Sequence, residues 1–337
     1  MSEGRRTLYI HVGPAKTGTS AIQHYFAGLD LPELTYPRSG QWPDRSHNML
    51  GFSLGRAKRW GAVEVAPLEE LAPKFSAELD NAEQDALISS EGLANPEIYG
   101  TLLTTFAPAI ARFDRVVPIF VIRHPVEAVA SRYNQAVKDS YLGEKTLPDA
   151  YLTLRIAQSR LVEQVAFWRA KAPAAKFLLY HPAQTLLARF CQAIDRPDLA
   201  PATAEWRNRS LGGVGLALCL LGNRHLESES DRRAYFQSLR ETPGLRMWRG
   251  ASFPFSREAT SRALDTVVNP ELDRLFDRFG MDARNWTPPD RVQLAADELA
   301  QVSEIAQNHL PRSAALTEDI DRVTRAIEGG HADAGRT

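Results

Sequence analysis

Short continuous hydrophobic runs alternate with longer stretches of helical spacing over the first two thirds of the chain. Four short runs, rich in β-branched and aromatic residues, predict buried strands at residues 7–13, 85–91, 116–122 and 176–180. Pro118 lies inside the third run, and because proline lacks a backbone N–H, that strand could begin after it. Buried strands of this kind are typical of a parallel sheet that is covered on both faces.

Apolar residues repeat at helical spacing between these runs and after them. The predicted helices cover residues 19–29, 47–60, 67–81, 125–139, 147–171, 211–226 and 258–279, with one or two more within 291–328. Strand alternating with helix predicts an α/β fold, in which helices flank a parallel β-sheet, with a helical C-terminal portion. We expect an α/β domain over residues 5–285, a helical extension over 286–328 and a disordered tail over 329–337.

Charge and composition limit the ligands that such a fold could hold. The 337 residues include 40 lysines and arginines and 41 aspartates and glutamates, a formal net charge of −1. No global positive charge therefore attracts nucleic acid or an anionic membrane, and an anionic ligand needs a local cluster of donors. No window approaches the roughly 20 apolar residues of a transmembrane helix. Cys191 and Cys219 are expected to be buried, reduced thiols, and we expect a cytoplasmic protein.

A glycine-rich segment, GPAKTGTS at residues 13–20, lies between the first predicted strand and the first predicted helix. We call it the phosphate loop. In this layout consecutive backbone N–H groups and the positive end of the helix point at one spot, which suits a phosphate group. The residues of the loop that we expect to bind the ligand are Lys16, Thr17, Gly18, Thr19 and Ser20.

The position of the lysine distinguishes this loop from the phosphate-binding loop of ordinary nucleoside triphosphatases. In GxxxxGK[ST] the lysine follows the second glycine, whereas here Thr19 follows it and Lys16 lies two residues before it. The segment PAKTGTS resembles the 5′-phosphosulfate loop of the sulfotransferase family, whose core is PK[ST]GT[TS], with Ala15 inserted between proline and lysine. By this resemblance, Lys16 would neutralise the charge that develops on the oxygen bridging phosphate and sulfate.

A second motif, RHPVEAVASRY, follows the third predicted strand. Arg123 stands at the strand end, Pro125 opens a helix, and Ser131 lies eight residues after the arginine. This segment resembles the 3′-phosphate segment of sulfotransferases. The guanidinium group of Arg123 offers a planar fork of donors that suits a phosphate monoester. Because a nucleoside triphosphate has no 3′-phosphate, a kinase would not need this second clamp.

Together the two motifs resemble a bacterial-type sulfotransferase with a P-loop-like fold. The resemblance implies transfer of a sulfuryl group from 3′-phosphoadenosine 5′-phosphosulfate (PAPS) to an acceptor hydroxyl or amine by in-line displacement, without a metal ion. The segments around Tyr36-Pro37, His47-Asn48 and Ser89-Ser90-Glu91 resemble bacterial members further. A tryptophan of the cytosolic members is replaced here by Ala21, so the residue that stacks on adenine stays open.

Two residues compete for the role of the base that accepts the proton of the acceptor. Glu91 ends a predicted parallel strand, where ligands of open α/β sheets bind, and His47 has an ordinary pKa suited to base catalysis. The acceptor is expected to be a small molecule or a glycan, with a saccharide favoured. The aromatic residues that could stack on sugar rings are Trp42, Tyr133 and Tyr141. The C-terminal helices could mediate homo-oligomerisation.

Two other functions are compatible with a phosphate loop. A P-loop kinase or NTPase would need magnesium and an acidic metal ligand, and the displaced Lys16 argues against it. A non-catalytic nucleotide-binding homologue would keep both clamps without transfer, and the presence of Lys16, Glu91 and His47 argues against that.

Overall fold

The computed structural model describes residues 5–14, 16–29, 31–61, 63–180, 183–201 and 210–328. The chain forms two compact units. The first unit holds the described residues within 1–123 and 163–208, and the second holds those within 124–162 and 209–337. The division of the chain into a domain over 5–285 and an extension over 286–328 stays a prediction, and the predicted disordered tail lies outside the described residues.

The first unit is built on a parallel β-sheet. In chain order the strands are β1 (Thr7–His11), β2 (Leu34–Thr35), β3 (Arg59–Trp60), β4 (Val63–Glu64), β5 (Asp85–Ser89), β6 (Arg115–Ile122) and β7 (Lys176–Leu179). Strands β3 and β4 form a separate antiparallel hairpin, and the others form one five-stranded parallel sheet in the order β2-β5-β1-β6-β7. The predicted α/β class with a parallel sheet is therefore confirmed.

Helices surround the sheet and make up the second unit. In chain order they are α1 (Thr19–Ala27), α2 (Asn48–Leu54), α3 (Leu68–Asp80), α4 (Pro96–Thr105), α5 (Ala107–Ile110), α6 (Pro125–Lys138), α7 (Pro148–Ile156), α8 (Leu161–Lys171), α9 (Ala183–Ala193), α10 (Gly213–His225), α11 (Glu229–Glu241), α12 (Arg257–Ala263), α13 (Asn269–Phe279), α14 (Ala296–His309) and α15 (Ala314–Glu328). Short 3₁₀ helices cover Glu91–Ala94 and Pro197–Leu199, and a π-helical turn, Leu264–Val268, joins α12 to α13. None of the described helices is long and apolar enough to span a membrane.

The order of the strands brings particular loops together at one edge of the sheet. The chain leaves β1 towards β5 and β2, whereas it leaves β6 towards β7 on the other side. Neighbouring strands whose connections diverge in this way form a topological switch point, and ligands of open α/β folds bind outside the carboxyl ends there. The residues that follow β1 and β6 therefore lie where ligands of such folds bind.

Two predicted helices end earlier than expected. The prediction of one helix over 47–60 is wrong in its second half, because α2 ends at Leu54 and the chain turns through Arg56 with a left-handed φ of 57°. Trp60 then lies in β3 instead of on a helix. The prediction of one helix over 147–171 is wrong as well, since α7 and α8 are separated by a tight turn after Ile156.

Pro118 lies within β6, which begins at Arg115. The pairing of β6 with β7 starts only at Ile119. The missing N–H of Pro118 therefore falls where β6 has no partner strand on the side of β7. Both cysteines are buried free thiols, as predicted. The strand β1 is buried along its whole length, which agrees with a sheet covered on both faces.

Candidate active site

The phosphate loop joins the end of β1 to the start of α1. Gly18 immediately precedes α1 with a left-handed φ of 83°, and a Cβ there would lie 2.3 Å from the Leu186 side chain. A Cβ on Gly13 would lie 2.6 Å from Thr19 Cγ2. Both glycines are therefore required by close packing, and the first N–H groups of α1, which have no partners within the helix, lie next to the loop.

Arg123 binds the phosphate loop directly. It follows β6, and its Nη1 donates a hydrogen bond of 2.7 Å to the backbone carbonyl of Lys16. Lys16 itself has a left-handed φ of 73°, a conformation that costs a residue other than glycine about 1–2 kcal/mol. The structure thus brings together the two cationic residues that the sequence placed in separate motifs, at the switch point between β1 and β6.

Tyr180, just after β7, packs against both Arg123 and Gly18 of the phosphate loop, and the sequence did not predict it as a site residue. The guanidinium carbon of Arg123 lies 4.5 Å from the centre of the Tyr180 ring, a cation–π contact. The same ring lies 3.1 Å from the position of a Cβ on Gly18. An aromatic residue at the carboxyl end of a predicted strand was the only signal in the sequence.

Two hydroxyl groups of the loop are already engaged as donors. Thr17 Oγ1 donates to the carbonyl of Pro14 at 2.7 Å, and Thr19 Oγ1 donates to Glu91 Oε1 at 2.5 Å. A hydroxyl has a single proton, so neither group can donate to a phosphate in this arrangement. Ser20, in the first turn of α1, is half-buried.

Glu91 lies beside the phosphate loop and its backbone is fixed. It starts the 3₁₀ helix after β5, and its N–H donates to Asn48 Oδ1 at 3.0 Å. The same oxygen accepts a hydrogen bond of 2.9 Å from the Ser90 hydroxyl. Asn48 therefore positions Glu91, a role that the sequence motif around it did not reveal. Through Thr19, the Glu91 carboxylate is joined to the first residue of α1.

His47 is fully buried and both of its ring nitrogens are engaged. The backbone N–H of Ser89 donates to Nδ1 at 3.1 Å, so the ring proton is on Nε2, which donates to the Pro37 carbonyl at 2.8 Å. Burial lowers the pKa of His47 to about 4. Neither nitrogen is thus available to accept a proton from an acceptor, and the geometry favours a structural role for His47.

His11 is a second buried histidine, at the end of β1. Its Nδ1 lies 2.8 Å from Ser89 Oγ, and its ring packs edge-on against Phe190 at 5.1 Å. Burial lowers its pKa to about 3. His11 is therefore a neutral core residue, and its buried Nε2 has no hydrogen-bond partner among the described residues.

Ser131 belongs to the second unit. It lies in the second turn of α6, eight residues after Arg123, and it is half-buried. That Arg123 and Ser131 bind one phosphate together stays a prediction. Within the described ranges, no group of three or more histidine, cysteine, aspartate or glutamate side chains could hold a metal ion.

Comparisons with protein-family models, with curated proteins and with solved structures found no match. A multiply charged anion suits the group formed by the N-terminus of α1, Lys16 and Arg123. The Glu91 carboxylate lies next to this group, at Thr19. Such a group can bind a phosphate ester and remove a proton from a nucleophile aligned with it.

Proposed function

We propose that the chain is a PAPS-dependent sulfotransferase with a P-loop NTPase-like sulfotransferase fold. The observation that carries the proposal is the hydrogen bond from Arg123 to the carbonyl of Lys16. It joins the arginine of one phosphate-binding motif to the lysine of the other, as expected when one ligand carries two phosphate groups. The displaced lysine supports a phosphosulfate over a nucleoside triphosphate.

Each residue of the group has a role in this reaction. The phosphate loop holds the 5′-phosphosulfate, while Arg123 holds the 3′-phosphate. Glu91 accepts the proton of the acceptor hydroxyl or amine as its oxygen or nitrogen forms a bond to sulfur. The bond from sulfur to the bridging oxygen breaks, and Lys16 neutralises the charge left on that oxygen. The products are the sulfated acceptor and 3′-phosphoadenosine 5′-phosphate.

Of the two candidate bases we choose Glu91. Its carboxylate is half-buried beside the phosphate loop, whereas both ring nitrogens of His47 are engaged with backbone groups. We also propose an acceptor on a saccharide or glycoconjugate. The cytoplasmic location and the homo-oligomerisation through the C-terminal helices stay predictions.

Calorimetric titration with 3′-phosphoadenosine 5′-phosphate in the absence of magnesium tests the proposal. We expect micromolar binding, weakened at least tenfold in Arg123→Ala and in Lys16→Ala, which corresponds to about 1.4 kcal/mol or more for each. The matched control is Arg115→Ala, because Arg115 is exposed at the opposite end of the same strand. It should bind like the unchanged protein.

The same titration with ATP separates the rival functions. Binding of ATP only with magnesium, together with no binding of the bisphosphate, would support a P-loop kinase or NTPase and contradict the sulfotransferase proposal. Binding of the bisphosphate without transfer of labelled sulfate to any acceptor in a broad screen would support a non-catalytic homologue.

A further inference from the structure

An exposed tryptophan lies beside three exposed cationic residues on the β3–β4 hairpin and the turn before it. We call Arg56, Lys58, Arg59 and Trp60 the tryptophan patch. All four side chains are exposed, and Trp60 is 55% accessible to solvent. One large aromatic ring and three cationic groups are therefore exposed together on a short segment of the first unit.

Trp60 is held from beneath by other aromatic rings. Its ring stacks on Phe52 with a centroid distance of 5.0 Å and an interplanar angle of 16°. Phe52 in turn meets Trp42 edge-on at 5.2 Å. Because Phe52 covers one face of the indole, the exposed area lies on the other face and the edges. The outer face of the Trp60 indole is thus a flat apolar surface, which the rings beneath it support.

The patch has more cationic than acidic groups. Among the described residues, none of its three cationic side chains forms a close ion pair, and Glu64, which faces Arg59 across the hairpin, is the one acidic residue within β3 and β4. Because the whole chain has a net charge of −1, this local excess does not follow from its composition. An anionic partner with a flat apolar face would complement both the positive charge of the patch and the exposed face of Trp60.

Helix α2 joins the patch to Glu91. Asn48, which holds the Glu91 N–H, and Phe52, which supports Trp60, are four residues apart and lie on one face of the helix. One helical turn, about 5.4 Å, separates them along the axis. Between them, Gly51 packs so closely against the residues around Glu91 that a Cβ would lie 2.7 Å from Ser90 Oγ. Helix α2 therefore contacts both the segment that holds Glu91 and the ring that supports Trp60.

We infer that the tryptophan patch binds an acidic saccharide. The apolar C–H face of a pyranose ring stacks on Trp60, and carboxylate or sulfate groups of the same chain pair with Arg56, Lys58 and Arg59. That this saccharide is the acceptor rests on the proposed function. Of the aromatic residues expected to contact sugars, Trp42 supports the patch through Phe52, whereas Tyr133 is fully buried and presents no face to solvent.

A binding experiment with two tetrasaccharides tests the inference. One probe alternates glucuronate and N-acetylglucosamine, and the other, of equal length, contains N-acetylglucosamine alone. We expect the acidic probe to bind the full chain at least tenfold more tightly at low salt, with this preference lost at high salt. Trp60→Ala should weaken its binding at least tenfold, and Arg59→Ser about threefold. The matched control is Trp248→Ala, a half-exposed tryptophan of the second unit, which should leave binding unchanged.

Binding of 3′-phosphoadenosine 5′-phosphate is measured on the same samples, so that the two proposals fail separately. If the bisphosphate binds but the acidic probe does not, or if Trp60→Ala binds the probe normally, the inference is wrong and the proposed function is unaffected. Binding to vesicles of anionic lipid without binding to the probe would overturn it too. If the acidic probe binds through Trp60 but the bisphosphate does not bind, the patch is a saccharide site and the sulfotransferase proposal fails.

Discussion

The hydroxyl proton of Thr19 connects the phosphate loop to the candidate base. Thr19 Oγ1 donates to Glu91 Oε1, so the hydroxyl cannot donate to a bound phosphate without releasing the carboxylate. An anion in the loop would compete with Glu91 for this proton. Binding of the phosphosulfate could therefore free Glu91 to accept a proton from the acceptor, which would couple the order of binding to the chemistry.

Replacing Glu91 by glutamine tests its role as base. The amide keeps the shape of the side chain but cannot accept the proton, so we expect kcat for sulfuryl transfer to fall at least 100-fold. The affinity for 3′-phosphoadenosine 5′-phosphate should change less than threefold. The control is Glu97→Gln, an exposed glutamate at the start of α4. A Glu91→Gln enzyme with normal kcat would exclude Glu91 as the base.

His47→Ala should affect stability more than chemistry. The substitution leaves the buried N–H of Ser89 without a partner, at about 1–3 kcal/mol, whereas the Pro37 carbonyl keeps a hydrogen bond of 2.9 Å from Gln41 Nε2. We expect the free energy of unfolding in urea to fall by about 1–3 kcal/mol, while kcat of the folded protein stays within threefold. His24→Gln, on a half-buried residue of α1, is the control. Loss of kcat with unchanged stability would instead identify His47 as the base.

The two buried histidines should make stability depend on pH. Burial lowers the pKa of His47 to about 4 and that of His11 to about 3, below the ordinary value of 6.5. The unfolded chain then binds more protons below pH 6.5, so the stability is fully present above that pH and falls as the solution is acidified. We expect a loss of about 1.4 kcal/mol per pH unit for each histidine between pH 6.5 and 4.

Urea unfolding at pH 7, 6 and 5 measures this slope, and NMR titration of the histidine ring protons locates each pKa directly. His47→Ala should reduce the slope of stability against pH by the contribution of one bound proton, about 1.4 kcal/mol per pH unit. His24→Gln should leave the contributions of His11 and His47 unchanged. A buried-ring signal that titrates near pH 6.5 would contradict the assignment.

At the scale of elements, the turn from β1 into α1 depends on Gly18. Gly18→Ala adds a side chain at a φ of 83° and brings its Cβ to 2.3 Å from the Leu186 side chain. Gly250, with a φ of 81° and nothing within 4 Å of the same position, provides a control for backbone strain alone. We expect about 1 kcal/mol of lost stability for Gly250→Ala and about 2–4 kcal/mol for Gly18→Ala.

The urea unfolding transition of the two variants measures this difference, and the binding of 3′-phosphoadenosine 5′-phosphate should weaken only in Gly18→Ala. Equal destabilisation of both variants would mean that the neighbours of Gly18 move aside, and that the tight packing of the loop is not required.

The sequence predicted the strands of the sheet well because each long strand is a continuous apolar run with a clear boundary. That residues 13–20 and Arg123 bind phosphate stays a prediction. The sequence did not predict that Arg123 reaches the Lys16 carbonyl, because that contact depends on β1 and β6 being neighbours. The hydrogen bonds of His47 depend likewise on where α2 lies against β5. The helical spacing that continues past Leu54 concealed the β3–β4 hairpin, because one residue with a left-handed φ ends the helix.

At the scale of the whole molecule, the C-terminal helices form part of the core of the second unit. Helix α10 is buried from Gly213 to Asn223, and both α14 and α15 pack against it. Leu316, Ile320 and Val323 on α15 are buried. Residues 286–328, which the sequence indicated as an extension, therefore cover apolar surface that would otherwise meet water, and their removal should make the chain aggregate.

Asp319 anchors α15 to α10 and gives a sharper test than truncation. Its carboxylate accepts two hydrogen bonds from Arg224, of 2.7 and 2.8 Å, and lies 3.1 Å from His225 Nε2. Burial raises the pKa of Asp319, but the hydrogen bonds and charge of Arg224, together with His225, outweigh this effect and lower the pKa.

Asp319→Ala leaves Arg224 partly buried without its partner, so we expect the free energy of unfolding in urea at pH 7 to fall by about 2–4 kcal/mol. Because the folded pKa is depressed, the contribution of Asp319 is present above about pH 4 and is lost as the pH falls below it. Asp321→Ala, on an exposed residue of the same helix, should cost less than about 0.5 kcal/mol, and equal effects of the two substitutions would show that Asp319 does not hold α15 in place.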